Sequence, residues 1–389
     1  MSQGMNQIRT GPNTALLHAL LEKMKSATRI AVVHGGDKSA EGAVIHQTRN
    51  PRSHKSYAGV ATDIANSLRR LGFMRVDLLA EDMRLGDQLR QLNTGLVWLN
   101  TGGTQGFSSI CHAASVLEMV GMPYVGHNPL NSALLDNKHS FKYSLNGLKV
   151  NTPDFLVCDF KDPQQIEDVF SEFDSVFADA KYLVVKPVSG RASLHVHRVQ
   201  GKQQARAMAL QVHQATGNLV LIERFVSGSE YTIAVGGHFI ARDRRLIELG
   251  ASFTFSAVRR IMAHDEAIFT SMDIRPIGPD RCQILDPTID AKIIGELSTL
   301  AKKIFVGFGL ETMVRVDIRA DENGRLFVLE ANPKPDLKQP TESCFSFVTA
   351  GLHHQQMDYD DLILSILASR LHFLLTHRRE MIPRIAELY

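Results

Sequence analysis

The sequence predicts an α/β protein in which a parallel sheet with helices is followed by antiparallel strands. In the first third of the 389 residues, short apolar runs ending in glycine turns alternate with helical patterns, as in βαβ units. After about residue 150, strand patterns are joined by Gly/Ser-rich turns, which is typical of antiparallel sheets. Two late strands joined by Asn323-Gly324 form a predicted hairpin.

The parallel part is predicted from four apolar runs that end in turns. These runs are "TRIAVVHGG", "MRVDLLA", "LVWLNTGG" and "MPYVGHNP". Helical patterns lie between them: "VATDIANSLRRLG" puts Val60, Ile64 and Leu68 on one face, and "SICHAASVLEMVG" is the next helix. Because ligands collect at the carboxyl ends of parallel strands, we expect a site at the turns that follow them.

The pattern changes near "SALLDNKHSFK", which is predicted as helical. "KYLVVKPVSGRAS" and "LVLIERFVSGSEYTIAVGGHFIARD" then predict strands joined by tight turns. A long helix, "AKIIGELSTLAKKIFVGFG", precedes the hairpin, and the chain ends in an amphipathic helical pattern that contains Pro383. We therefore predict three domains, at residues 1–135, 136–225 and 226–389.

Composition argues against several classes of function. With 44% hydrophobic and 22% charged residues, the chain is expected to be an ordinary globular protein. The first 25 residues contain no apolar core or cleavage site of a signal peptide, so we expect it in the cytoplasm. The net charge is +2 and no basic and aromatic stripe is present, so we expect no nucleic-acid partner. No apolar run approaches the roughly 18 residues of a membrane span, so we expect no membrane partner. Four widely spaced cysteines predict free thiols rather than a zinc site or a disulfide framework.

The stretch "RLFVLEANPKPD" places two oxygen-bearing side chains on one face of a strand. Glu330 and Asn332 are separated by one residue, and successive strand residues point to opposite faces. Asp317 lies in the preceding strand, "MVRVDIRA". If the "NG" of "DENG" forms a two-residue turn, Asp317 lies opposite Glu330 and Arg315 lies opposite Asn332.

This hairpin predicts a magnesium site. Two acids opposed across a strand pair repel each other unless a cation lies between them. The side-chain oxygens of Asp317, Glu330 and Asn332 suit Mg²⁺, which completes its shell with water and phosphate oxygens. A solvated edge hairpin is the alternative, and the apolar run in "VLEAN" disfavours it. Arg315 shares the face of Asp317 and suits a site that gathers the oxygens of a triphosphate and a developing anion.

Three further motifs precede the hairpin along the chain: "MPYVGHNPLNSALLDNKHSFK", "LVVKP" and "LIERFVSGSE". The hairpin itself supplies a fourth, the pair "RVD" and "LEAN". With them the chain resembles the ATP-grasp superfamily, and within it the D-alanine–D-alanine ligase group, over residues 28–345. The resemblance implies an N-terminal parallel α/β lobe, a small central antiparallel α+β lid lobe and a C-terminal α+β lobe that carries the magnesium hairpin. It also implies ATP and Mg²⁺ as cofactors, with one or two ions and Mn²⁺ as a substitute, and a homodimer.

The resemblance implies roles for individual residues. The catalytic residues would be Arg315, Glu41 and Ser193, of which Arg315 stabilises the transition state and Glu41 holds the amine of the donor. The metal ligands would be Asp317, Glu330 and Asn332. The nucleotide-binding residues would be the phosphate-binding Lys138 and Lys186, the base-binding Glu223, Phe225 and Val226, the ribose-binding Glu230, and Leu329.

Several positions on the substrate side depart from the family pattern. Arg191 replaces a loop glycine of the family, and Ala192 replaces a serine. Asn100 replaces a histidine, and Asp336 replaces the oxyanion-hole glycine. The acceptor-binding serine falls near Thr341, with Lys338 close by. The basic residues nearest to the family's mobile-loop tyrosine and lysine are Arg259 and Arg260. The polar loop at residues 46–56 is either a solvated insertion or part of a substrate site.

The sequence therefore predicts an ATP- and Mg²⁺-dependent carboxylate–amine ligase that forms an amide bond through an acylphosphate. Its partners would be ATP and small carboxylate and amine substrates other than two D-alanines. Arg191, Lys338 and Arg52 suggest that one substrate is more anionic than alanine. The alternatives are a true D-alanine–D-alanine ligase of cell-wall precursor synthesis, a kinase-like or carboxylase-like activity, and a nucleotide-binding regulatory protein without turnover.

Overall fold

The computed structural model describes residues 13–37, 56–105, 108–190, 193–263, 266, 268, 280–342 and 346–388. The first layer is a parallel sheet in the order β2-β1-β3-β4. Its strands are β1 (Arg29–Gly35), β2 (Arg75–Glu81), β3 (Leu96–Asn100) and β4 (Tyr124–Val125). Its helices are α1 (Thr14–Ala27), α2 (Ala58–Arg70), α3 (Leu85–Gln91) and α4 (His112–Met119). The predicted parallel α/β lobe is confirmed.

Two helices lead from this sheet into the central lobe, α5 (Pro129–Asp136) and α6 (Lys138–Gly147). Each begins at an asparagine whose side chain accepts a backbone N–H of the first turn, Asn128 for α5 and Asn137 for α6. The central sheet is antiparallel, in the order β5-β8-β6-β7, and two helices, α7 and α8, pack their apolar faces against it. Its elements are β5 (Phe155–Cys158), α7 (Pro163–Val176), β6 (Leu183–Pro187), β7 (His197–Val199), α8 (Gly201–Thr216) and β8 (Val220–Arg224).

The C-terminal sheet has the order β14-β13-β9-β15-β16, with β12 also paired to β9, and β10 and β11 form a separate hairpin. Its strands are β9 (Glu230–Gly236), β10 (Phe239–Arg242), β11 (Arg245–Glu248), β12 (Phe253–Thr254), β13 (Val258–Arg260), β14 (Cys282–Ile284), β15 (Val314–Ala320) and β16 (Leu326–Asn332). Its helices are α9 (Ala291–Gly307), α10 (Tyr359–His377) and α11 (Pro383–Ala386). Apolar residues of α9 pack against β9 and β15 and form the core of this lobe.

The hairpin of β15 and β16 has the predicted pairing at the site. Asp317 pairs with Glu330, and Arg315 pairs with Asn332. Ala331 points to the opposite face and is buried in the core of the C-terminal lobe. Both predicted acids therefore lie on one face of the sheet.

The turn that joins these strands differs from the prediction. Asp321 donates its N–H to the carbonyl of Arg325, and Gly324 has φ +80°, so the loop has three residues rather than two. The pairing then shifts by one residue next to Asp317, where Leu329 forms a bulge. The bulge compensates for the extra loop residue, and this is why the predicted opposition is correct although the predicted turn is wrong.

The C-terminal helix α10 was predicted to be amphipathic, and this prediction is wrong. Its side chains are buried on all sides from Tyr359 to Leu371. Its apolar residues share one core with α1, α2 and the first sheet. Arg370 donates to Glu311 at 2.6 Å and to the carbonyl of Tyr124 at 2.8 Å, so even its charged residues are buried with partners. The helix thus ties the C-terminal sheet to the N-terminal lobe.

Two expectations about the whole chain can be compared with the described residues. Within them, no helix has both the length and the apolar character needed to cross a bilayer. Cys111, Cys158 and Cys282 are free thiols, whereas Cys344 lies outside the described ranges. The domain boundaries at residues 135 and 225 stay predictions.

Candidate active site

A cleft lies between the central sheet and the C-terminal sheet. Most residues predicted to bind nucleotide or metal line it, namely Lys138, Lys186, Glu223, Phe225, Val226, Glu230, Asp317, Leu329 and Glu330, and Ser193 lines it as well. Arg315 and Asn332 lie behind these residues, and both donate hydrogen bonds to the Asp317 carboxylate. The fold therefore brings together predicted residues from both halves of the chain.

Lys138 lies at the start of α6 and reaches across the cleft. Its backbone N–H donates to the carbonyl of Val188 at 2.8 Å, and its ammonium donates to the carbonyl of Gly190 at 2.9 Å. The same ammonium lies 3.4 Å from Oε2 of Glu330. One side chain thus connects the turn after β6 with the hairpin that carries the acids.

Glu223, on β8, is buried between two lysines. Lys186 of β6 lies 2.5 Å from Oε1, and Lys142 of α6 lies 2.9 Å from Oε2. Burial opposes the charge of this carboxyl, but the ammonium groups of Lys142 and Lys186 hold the pKa of Glu223 below its ordinary value. Glu223 is therefore a carboxylate whose charge is balanced inside the protein.

Lys142 was not among the predicted residues. It is fully buried, and burial lowers its pKa to about 8 although Glu223 opposes the shift. The sequence contains a signal for it, because Lys142 lies four residues after Lys138 and thus on the same face of α6. The helical period therefore places Lys142 beside Lys138 on α6.

Glu230, at the start of β9, lies between two arginines that were not predicted to bind nucleotide. Arg260 donates to one of its oxygens, and Nη1 of Arg319 lies 3.4 Å from the other. The Arg319 guanidinium also lies 4.6 Å from the centre of the Phe225 ring. Arg319 has a signal in the sequence, since it follows Asp317 by two residues on the same strand.

The predicted connection of Arg259 and Arg260 with a mobile loop is not supported by their positions. Both belong to β13, which pairs with β9, and Arg260 lies opposite Glu230. Asp317 and Glu230 raise the pKa of Arg260 against the effect of burial, so this guanidinium is a permanent cation. Arg260 is thus a fixed residue of the cleft.

Asp317 is the most heavily bonded acid of the site. Arg315 binds both its oxygens at 2.9 Å, and Arg260 lies 2.9 Å from Oδ2. Thr232 donates at 2.9 Å and Asn332 at 3.3 Å. Burial would raise the pKa of Asp317, but the two guanidinium groups hold it well below its usual range. The carboxylate is therefore ionised and fixed in one orientation.

The opposed acids Asp317 and Glu330 do not by themselves require a metal ion between them. Burial and Asp317 oppose the charge of Glu330, but Lys138, Lys186 and Arg315 hold the pKa of its carboxyl below its ordinary value. These side chains already offset the repulsion between the two acids. The pairing is compatible with a metal site but does not demand one.

The donor set nevertheless fits Mg²⁺. Within the described ranges, no group of three or more His, Cys, Asp and Glu side chains could hold a metal ion. Two carboxylates and the Asn332 amide would therefore supply only part of a coordination shell. Mg²⁺ commonly takes one or two carboxylates and fills the remaining positions with water and phosphate oxygens. Asp317, Glu330 and Asn332 suit an ion that arrives with a nucleotide.

A second group of contacts lies at the carboxyl end of β3. Asn100 donates to the carbonyl of Tyr57 at 3.1 Å, and the Tyr57 ring lies against Gly102. The ammonium of Lys334 lies 3.5 Å from the centre of this ring, which is a cation–π contact. Lys334 follows the last residue of the hairpin by two positions. This cation, which was not among the predicted site residues, joins the hairpin to the N-terminal lobe.

Asp336 directs its side chain into its own loop, where Oδ1 accepts the N–H of Lys338 at 3.1 Å. The same loop donates the N–H of Gln339 to Asp63 of α2 at 3.1 Å. It therefore packs against the N-terminal lobe. Other predicted positions, Glu41, Arg191, Ala192 and residues 46–55, lie outside the described residues.

Comparisons with known proteins agree with this architecture. Residues 145–368 match the family model described as D-ala D-ala ligase C-terminus. A D-alanine–D-alanine ligase of Pseudomonas entomophila is 29% identical over 364 residues, which cover 90% of this chain and 96% of that protein.

Solved structures show the same fold at low sequence identity. The D-alanine–D-alanine ligase of Bacillus anthracis complexed with ATP has a TM-score of 0.63 at 18% identity, covering 89% of this chain and 98% of that one. The VanG D-Ala:D-Ser ligase of Enterococcus faecalis has a TM-score of 0.63 at 15% identity, covering 88% and 99%. Since the family model spans more than half of the chain, this protein belongs to the D-alanine–D-alanine ligase family of ATP-grasp enzymes, which form carbon–nitrogen bonds.

Proposed function

We propose that this chain is an ATP- and Mg²⁺-dependent ligase that joins a small carboxylate to an amine, with substrates other than two D-alanines. One observation carries the proposal: a single cleft is lined by two lysines, by the two opposed acids of the hairpin and by the buried acids Glu223 and Glu230. This is the set of charges needed to hold a triphosphate, its metal ion and the rest of a nucleotide. We also propose a cytoplasmic homodimer, on the family resemblance alone.

Lys138 and Lys186 would bind phosphate oxygens as point charges. Phe225 and Val226 line the cleft beside Glu223 and offer an apolar surface to a base. Leu329 lines the cleft as well and would add to this surface. Glu230 would accept hydrogen bonds from ribose hydroxyls, with Arg260 and Arg319 holding its carboxylate in place.

Asp317, Glu330 and Asn332 would hold Mg²⁺, which neutralises charge between the phosphate oxygens and the attacking carboxylate. Arg315 is held on Asp317 by two hydrogen bonds of 2.9 Å, so its charge has a fixed position beside the metal ligands. A positioned cation of this kind stabilises negative charge that develops during phosphoryl transfer. Arg315 would therefore act on the transition state.

The proposed reaction has two steps. A carboxylate oxygen attacks the γ-phosphorus and ADP leaves, which gives an acylphosphate. The amine nitrogen then attacks the acyl carbon, and phosphate leaves with one oxygen of the former carboxylate while the nitrogen loses a proton. Ser193, which lines the cleft in the turn after β6, and Glu41 would assist at the donor side.

The proposal that the substrates differ from two D-alanines is supported by the substrate side of the site. Lys334 places a positive charge over Tyr57 at the carboxyl ends of β1 and β3. Asp336 stands where the family has a glycine, and its carboxylate would oppose an oxyanion formed beside it. Lys334 therefore favours a substrate with an additional anionic group over alanine, whereas Asp336 disfavours an oxyanion site of the family type.

A true D-alanine–D-alanine ligase is the second candidate. The P. entomophila relative of that name aligns over 96% of its own length, so no large part of that enzyme lacks a counterpart here. The fold also occurs in a ligase named for D-Ala and D-Ser, so the ligases of this fold differ in their acceptors. The sequence position of Asp336 argues against this candidate. Its carboxylate, however, accepts a hydrogen bond within its own loop, which weakens that objection.

The test is ATP-dependent phosphate release by the purified chain with Mg²⁺ against a panel of amino acids, hydroxy acids, dicarboxylic acids and amines, with products identified by mass. We expect a pair that contains an anionic substrate to give a higher kcat/KM than D-alanine alone. If two D-alanines give the highest kcat/KM in the panel, the second candidate is correct. Size-exclusion chromatography with light scattering tests the dimer.

A further inference from the structure

Lys142 has no part in the proposed chemistry, yet it occupies a specific position behind the nucleotide site. It is fully buried and does not line the cleft. Its ammonium is shielded from solvent and donates a hydrogen bond to Oγ1 of Thr152 at 2.5 Å. Thr152 in turn donates to the carbonyl of Val328 at 2.9 Å. A lysine is rarely buried in this way without a charged partner. The partner here is Glu223.

The two lysines around Glu223 differ in their access to a ligand. Lys186 lines the cleft, whereas Lys142 approaches the carboxylate from the protein interior. Each lysine lies beside a different oxygen of Glu223. The Lys142 contact is a buried ion pair at 2.9 Å, so the attraction of opposite charges holds it to Glu223.

We propose that Lys142 is a positioning residue of the nucleotide site: it serves as the interior counter-ion of Glu223 and thereby leaves Lys186 available to bind phosphate oxygens. This inference rests on the proposed function, in which Lys186 contacts the nucleotide. Lys138 and Lys142, one helical turn apart on α6, would then act on the same nucleotide from two sides. Lys138 contacts it directly, and Lys142 acts through Glu223.

The electrostatics of the buried carboxylate supports this division. Lys186 is bonded to Glu223, so a phosphate oxygen that binds this ammonium competes with the carboxylate for it. With Lys142 in place, Glu223 keeps one cation beside it when Lys186 moves. Without Lys142, the same movement would leave a carboxylate buried and unpaired, which is strongly unfavourable. Removing Lys142 should therefore make Lys186 a poorer phosphate ligand.

The test is ADP binding with Mg²⁺, measured by calorimetry on the full chain. We expect Lys142→Met to weaken binding about tenfold or more, because leaving one charge of a buried pair without its partner is costly. Glu223→Gln in the same chain removes the charge that Lys142 balances. The double variant should therefore bind within about threefold of Glu223→Gln alone. Lys142→Arg keeps a cation and should retain more affinity than Lys142→Met.

The control is Lys292→Met, which removes an exposed lysine of α9 and should leave ADP binding unchanged. Two results would overturn the inference. One is equal ADP affinity of wild type and Lys142→Met. The other is a double variant whose loss of ADP affinity equals the product of the losses in the two single variants. If Lys142→Met fails to fold, the comparison of Lys142→Arg and Lys142→Gln decides it, and equal affinities of these two would again overturn it. Wild-type protein that binds no nucleotide would refute the proposed function itself, which is a separate outcome.

Discussion

Arg260 and Asp317 form a buried ion pair, with 2.9 Å between Nη2 of the arginine and Oδ2 of the acid. The same arginine also binds Glu230, so one guanidinium joins the proposed ribose contact to the proposed metal ligand. In the absence of metal, this cation balances part of the charge of the carboxylates. A divalent ion must therefore compete with Arg260 for Asp317.

Replacement of Arg260 by Gln should increase the affinity of the nucleotide-free protein for Mn²⁺, because a competing cation beside Asp317 is removed. Electron paramagnetic resonance of free and bound Mn²⁺ measures this affinity without reference to turnover. The control is Arg259→Gln, since Arg259 is the neighbouring residue of β13 and contacts Gln283 rather than an acid of the site. Equal Mn²⁺ affinities of Arg260→Gln and wild type would contradict the competition.

Glu330→Gln should nearly abolish ADP formation while the fold stays intact, because it removes one charge from the metal ligands and preserves shape. Repulsion between the opposed acids would by itself make this variant more stable, but the contacts of Glu330 argue against such a gain. Lys138 lies 3.4 Å from Glu330 and favours its ionised form, so thermal stability should be unchanged or lower. Glu322→Gln, at the exposed end of the same hairpin, is the control and should be fully active. Wild-type ADP formation by Glu330→Gln would refute the assignment.

The contribution of Asp317 to stability should depend on pH. Its pKa in the folded protein is lower than its ordinary value of about 3.9, so the folded state favours the ionised form. That contribution is complete above pH of about 5 and is lost as the pH falls towards the folded pKa. We expect Asp317→Asn to be less stable than wild type at pH 7, and the difference to shrink between pH 5 and pH 2. Urea unfolding at several pH values measures it, and a constant difference would contradict the prediction.

Breaking the pair between Arg370 and Glu311 should destabilise the whole chain. Both side chains are buried, and the loss of one partner of such a pair costs about 3–5 kcal/mol. Arg370→Leu should therefore unfold at a much lower urea concentration than wild type, and Arg370→Leu combined with Glu311→Leu should recover part of the loss. Arg378→Ala, an exposed change after α10, serves as the control. A loss below about 1 kcal/mol for Arg370→Leu would show that α10 is not fixed by this pair.

The sequence predicts what depends on local pattern. The alternation of β15 and β16 places Asp317 and Glu330 on one face, and the order of apolar runs and helices gives the parallel lobe. The prediction fails where burial depends on distant segments. The pattern of α10 reads as amphipathic because Asp360 and Arg370 are polar, but both are buried against partners from elsewhere in the chain, Ser67 and Glu311 among them.

The same limit explains the residues that were missed. Arg260 is separated from Glu230 by 30 residues and from Asp317 by 57, so no short motif contains them together. The contact of Lys334 with Tyr57 joins residues still further apart. Lys142 and Arg319 lie close to predicted residues in the sequence, and the helical and strand periods could have found them.

Isotope transfer tests the proposed reaction most directly. The acid of the panel that supports the fastest phosphate release is prepared with ¹⁸O in both carboxylate oxygens, and the phosphate formed with its amine partner is examined by mass spectrometry. An acylphosphate requires that one ¹⁸O atom move into phosphate in each turnover, since phosphate leaves with a former carboxylate oxygen. We predict singly labelled phosphate together with an amide product. Phosphate without label, or a phosphorylated product without amide, would contradict the ligase assignment.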